Sequence, residues 1–196
     1  MKKVMLMALA AFFVTAAFAQ TIDDAQNEIN NENYYKARVI LNKLLKDPAS
    51  DKAQVEYYMG NAYLKDDEAD SAKMFYKMVN TGDSKNPLGY LAAGRLGVLA
   101  KNSTEAKMNF DRAAQVTKFK NANVFFETGD AYFRPQIFDL AAAIQNLEKA
   151  NELDGKNTTI MMELGDAYLE NSSNDPTMGG KAMTEYENAI AINNKL

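Results

Sequence analysis

The chain has 196 residues, 47% of them hydrophobic and 24% charged, with only 10 glycines and 4 prolines, a profile that suits a globular protein and leaves little room for long disordered tracts. Cysteine and histidine are both absent. That removes disulfides, thiolate nucleophiles, Cys/His zinc sites and imidazole acid–base chemistry together.

The first nineteen residues form a separate object. Met1-Lys2-Lys3 is a basic start, VMLMALAAFFVTA an apolar run, and Ala17-Phe18-Ala19 an A-x-A site before Gln20. This pattern is expected of a bacterial-type secretory signal peptide spanning 1–19 and cleaved before Gln20. A retained anchor is the weaker alternative, because the run falls short of the roughly 20 residues that span a bilayer. Without cysteine there is no lipid attachment site of the lipoprotein type. Removing Lys2 and Lys3 leaves 20 basic against 26 acidic residues, a net charge of −6, which argues against nucleic acid and anionic lipid as partners.

Helical periodicity then runs through the rest of the chain. TIDDAQNEI and NYYKARVILNKLLKDP are read as a first helix pair, the opening helix polar and the second carrying Ala37, Leu41 and Leu44 at one-face spacing. Next come Val55, Tyr58, Met59, Ala62 and Tyr63 on one helix, and Ala72, Phe75, Tyr76 and Val79 on another. MGNAYLK at 59–65 returns as TGDAYFR at 128–134 and LGDAYLE at 164–170, with a degenerate copy, AGRLGVL, at 93–99. Gly60, Gly94, Gly129 and Gly165 are therefore 34, 35 and 36 residues apart, a period that signals stacked repeats. Behind each glycine comes a triplet: Ala72, Tyr76, Val79; Ala106, Phe110, Ala113; Ala143, Leu147, Ala150; Ala182, Tyr186, Ala189. Glycine and alanine at these points allow two helices of a hairpin to approach closely. Each hairpin leaves an apolar face open until the next one stacks on it.

This pattern resembles the tetratricopeptide repeat (TPR), with a small residue at position 8, an aromatic at 11, alanines at 20 and 27 and a large apolar residue at 24. The family's tryptophan at position 4 is replaced by Glu56, Tyr90, Phe125 and Met161. The resemblance implies an all-α, right-handed α-solenoid of about five TPR-like hairpins. It would occupy 20–196 as a single domain, with repeats near 20–50, 53–86, 87–121, 122–157 and 158–196.

In TPR domains the first helix of each pair lines the concave side. The resemblance thus implies a partner-binding groove in which Tyr57, Leu91, Phe126, Phe133 and Met162 form an apolar lane. Asn61, Arg95, Asp130 and Asp166 supply polar anchors, and Leu64, Val98 and Leu169 occupy position 12. Such a lane suits an extended or helical peptide with bulky apolar side chains. A clamp for a C-terminal carboxylate is not expected, since Tyr57 stands where that clamp needs lysine.

Other motifs reduce to packing or solvation. Asp66-Asp67-Glu68 lacks the glycine and the distal glutamate of a calcium loop. Gly89, Gly94 and Gly97 lack the strand and GK[ST] of a phosphate loop. Asp130 and Asp166 share position 9 of different repeats and are not expected to pair for acid–base work. The expectation is a non-catalytic scaffold or adaptor of the periplasm or cell envelope, without cofactor or metal, binding a protein or peptide partner. Two alternatives stay open: a substrate-recognition region of a larger envelope enzyme or assembly continuing beyond residue 196, and a self-assembling structural protein. The last helix, KAMTEYENAIAINN, carries Ile190 and Ile192 with no polar capping helix after it. Its open face implies either a longer repeat array or docking on a partner or a second copy.

Overall fold

The structure is a computed structural model describing residues 20–79 and 85–194. The expected signal segment, 1–19, lies outside the described residues. Ten helices and no strands occur among those residues: α1 (Ile22–Asn30), α2 (Tyr34–Leu44), α3 (Lys52–Lys65), α4 (Ala69–Met78), α5 (Pro87–Leu99), α6 (Ser103–Val116), α7 (Ala122–Tyr132), α8 (Leu140–Leu153), α9 (Thr158–Asn171) and α10 (Thr177–Asn193). Successive helices pair into five hairpins, and each hairpin packs on the next in chain order. The protein is an all-α solenoid of TPR-like hairpins.

Local chemistry marks where the helices begin. Asp51, Asn86, Asn102, Asn121, Asp139 and Asn157 each cap a helix by accepting a backbone N–H with the side-chain oxygen. Thr21 and Asp24 form a reciprocal capping box at α1. The turns inside the first three hairpins share one construction. Glu32, Asp67 and Lys101 take φ near +60°, and the next residue's N–H reaches back to a carbonyl five residues earlier: Asn33 to Glu28, Glu68 to Tyr63, Asn102 to Gly97. That geometry usually recruits glycine; here three charged side chains adopt it. The fourth and fifth hairpins carry longer connections, which contain Pro135 and Pro176.

The joint inside each hairpin is a ring or branched side chain laid over a glycine. A Cβ added at Gly60 would lie 2.5 Å from Tyr76, one at Gly129 2.6 Å from Leu147, and one at Gly165 2.5 Å from Tyr186. Gly94 meets Phe110 in the same way, and Gly97 faces the backbone of Ala106. Positions 8 and 24 of each unit thus form one contact. The alanines at 20 and 27, such as Ala72, Ala106, Ala143 and Ala182, are buried beside it.

Two features go beyond simple stacking. The apolar core is divided: one cluster runs from Ala25 to Ala143, and a second joins Ile144 and Leu147 of α8 to Leu164, Ala167 and Tyr168 of α9 and Ala182 of α10. Phe133 packs against both. The chain also curls back on itself, for Asn30 at the end of α1 donates to Thr159 Oγ1 at the start of α9 across 3.3 Å.

Candidate functional site

The first helices α3, α5 and α7 pack against one another, and α1 lies along α3. Their facing side chains are polar. Glu127 of α7 is 3% exposed and gathers three helices around one carboxylate. Tyr57 OH donates to Glu127 Oε2 at 2.8 Å, Asn61 Nδ2 at 3.0 Å and Arg95 Nη2 at 2.7 Å. Tyr76 OH donates to Asn61 Oδ1 at 2.7 Å. Arg95 Nη1 lies 2.6 Å from Asp130 Oδ2 as an ion pair, off the line of a hydrogen bond. Lys65 Nζ stands 3.1 Å from Asp130 Oδ1, and Arg134 closes on the same oxygen. Three consecutive first helices, α3, α5 and α7, therefore contribute to one chain of charges. Glu163 of α9 lines the adjoining cleft together with Lys65 and Arg134.

The electrostatics follow from burial and partners. Burial pushes the Asp130 carboxyl up, but Arg134, Lys65 and Arg95 together override it and hold it well below the usual carboxylate range. Burial likewise opposes the charge on Arg95, and its partners, Asp130 first among them, more than restore it. Burial raises the Tyr57 and Tyr76 phenols well out of the titrating range, so both act as neutral donors. Glu163 is pushed up to about 7, by burial first and by Asp130 second, against the pull of Lys65 and Arg134.

The residues expected to line a groove divide into three groups. Tyr57, Asn61, Leu64, Leu91, Arg95, Val98 and Asp130 are buried. Phe126 and Phe133 are half-buried, while Met162, Asp166 and Leu169 are exposed. The side chains of the first group are packed into the interior, with at most 7% of their surface exposed. These seven residues are corrected from groove to interior. Position 5 shows the gradient: Tyr57 is 0% exposed, Leu91 1%, Phe126 intermediate and Met162 47%.

A cleft of about 650 Å³ opens between the turn of the first hairpin, the end of α7 and α9. Ile29, Tyr34, Phe133 and Met162 give it apolar walls, and Lys65, Arg134, Glu163 and Asp166 line the polar part. Asp166 accepts from Tyr186 OH at 2.7 Å, while Asp130 is engaged by Lys65, Arg95 and Arg134. A second depression, of about 570 Å³, lies on the opposite side between α6 and α8, floored by Phe125, Thr128 and Tyr132. It collects none of the expected lining residues.

Sequence reasoning passes over Glu127 and Glu163. Both stand two residues before the repeat glycine, in FFETGD and MMELGD, where the second and third units carry Tyr58 and Ala92. A carboxylate inside an apolar helix face, with Arg95 similarly placed in LAAGRLGVL, is the signal of a buried ion pair.

No protein-family model matches the sequence, and no curated protein matches it. Among solved structures, the chain is similar to MamA. One crystal structure aligns at TM-score 0.49 and 17% identity over 87% of this chain and 95% of that one. Another aligns at TM-score 0.49 and 17% identity over 89% and 90%. The helical-repeat architecture rests on the geometry described above.

Proposed function

We propose that this protein is a non-catalytic interaction scaffold that holds a segment of a protein partner in the cleft between the first hairpin and α9. The single observation that supports this reading is the cleft itself, where apolar walls from Tyr34, Phe133 and Met162 meet a charged floor. Its volume of about 650 Å³ admits a few bulky side chains of an extended segment. Met162 is 47% exposed, so an apolar side chain is available there for a partner to bury. The charged residues beneath are occupied with one another, which suits a structural base and offers no free acid–base pair.

The signal-like sequence at 1–19 supports a location in the periplasm or cell envelope. No helix among the described residues is long and apolar enough to cross a membrane. The test is affinity capture from an envelope extract with the wild-type protein and with a Phe133→Ala/Met162→Ala variant, each checked by circular dichroism. A partner held by the first and released by the folded variant supports the scaffold. Equal capture by both places binding elsewhere. Fractionation of the full-length protein tests the envelope location independently.

A further inference from the structure

The hairpins differ in charge along the chain. Arg95, Glu127 and Asp130 are buried together and offset one another. Apart from them, the helices of the second and third hairpins carry six basic against four acidic residues. Those of the fourth and fifth carry two against seven. One stretch is basic and the next acidic, so two copies placed head to tail bring unlike charges together.

Each stretch also leaves an apolar face uncovered. Met74 and Met78 of α4 and Met108 of α6 are at least 50% exposed, and so are Met183 and Ile190 of α10. Met108 stands two residues after the repeat alanine of its unit, as Met74 does in the preceding one, so the same outward position is apolar in two successive second helices. Helical spacing puts Lys77 on the face of Met74 and Met78, and Glu187 on the face of Met183 and Ile190. Lys77 and Glu187 are exposed, and neither makes an ion pair or a side-chain hydrogen bond with another described residue. Their neighbours are engaged: Lys73 pairs with Asp70 and Lys107 with Asp111, and Arg112 lies over the Tyr90 ring. An unpartnered base among methionines at one end thus matches an unpartnered acid between apolar residues at the other.

We propose that α10 of one copy docks across the outer face of α4 and α6 of a second copy, with Glu187 set against Lys77 of that copy. Met183 and Ile190 leave water together with Met74, Met78 and Met108, whose unbranched thioethers adapt to the opposing surface. The charge pair fixes the register, and the wider difference in charge steers the encounter. Because the two faces are different, the contact is heterologous: each copy offers both, and the assembly closes into a ring or grows as a filament. None of these residues lines the cleft, so the contact stands or falls independently of the partner held there.

Sedimentation velocity of the purified protein tests the contact. The wild type is expected to shift from monomer to larger species between about 1 µM and about 200 µM, and raising the salt from about 50 mM to about 500 mM should weaken the association by about tenfold. Lys77→Glu and Glu187→Lys should each weaken it by about tenfold or more, with helicity unchanged by circular dichroism. The double variant Lys77→Glu/Glu187→Lys should regain it. An equimolar mixture of the two single variants should stop at dimers, since only one matched pair of faces remains between them. A wild type that stays monomeric throughout would overturn the proposal and leave both faces to a foreign partner. Association that survives both single reversals, or that the double variant fails to regain, would overturn it equally.

Discussion

Arg95 of α5 sits between Glu127 and Asp130 of α7, 2.7 Å from one carboxylate and 2.6 Å from the other, and is 1% exposed. Removing one partner of a buried ion pair leaves charge without compensation. Arg95→Ala leaves Glu127 buried without a cation, while Asp130 keeps Lys65 and Arg134, and is expected to cost about 3–5 kcal/mol, read as a shift in the urea unfolding midpoint. Replacing Arg95 and Glu127 together by apolar residues of similar size should cost less, because Asp130 keeps Lys65 and Arg134 and no carboxylate is left without a cation.

The glycine joints make a paired prediction. Gly129→Leu drives a side chain into Leu147, where even a Cβ would lie 2.6 Å away, and is expected to cost roughly 1–3 kcal/mol or more. Gly180 in α10 has nothing within 4 Å of the same position. Gly180→Ala should therefore stabilise by up to about 1 kcal/mol through helix propensity. Thermal unfolding of the two variants side by side separates a packing glycine from a tolerated one.

Stability should respond to pH in two windows of opposite sign. Glu163 binds its proton more tightly in the folded state, so its contribution declines as pH rises from about 4.5 to about 7 and is level above that. Asp130 has a depressed folded value, so its contribution is full above the ordinary value of 3.8 and is lost as pH falls further. Glu163→Gln should abolish the upper slope and gain on the order of 2 kcal/mol at pH 8 relative to the wild type. Denaturant titrations at a series of pH values would check both signs.

The turn of the third hairpin offers a stabilising change. Lys101 is exposed and holds φ at 56°, a conformation that glycine adopts without a Cβ clash. Lys101→Gly is expected to gain about 0.5–1 kcal/mol, visible as a higher melting temperature. A loss would mean that glycine's greater freedom in the unfolded chain outweighs the relief.

The hairpins are legible in the sequence because their joints need residues without bulk. Gly60, Gly94, Gly129 and Gly165, each followed by its alanines, repeat at intervals that only stacked units explain. The direction of the first helices is legible too, since Tyr57, Arg95 and Asp130 do point inward. Curvature is not. A period tells which face turns to the axis, but the radius depends on how closely α3, α5 and α7 settle, which is a matter of volumes summed over many contacts. Whether Leu91 or Val98 lines an open channel or an interior hangs on that radius. Glu127 illustrates the remainder: its partners are 32 to 70 residues away along the chain, beyond the reach of any local pattern.

The bond between Asn30 and Thr159 spans 129 residues. Repeat proteins ordinarily behave as a line of neighbours, each unit stabilised only by those beside it, so the ends fray first and folding starts anywhere. Joining the first unit to the fifth turns that line towards a ring. Opening either end then also disturbs the other, and the last steps of folding must close a loop across most of the chain, with the entropy that such closure demands. Folding of this small helical protein should be slower than its local contacts alone would allow.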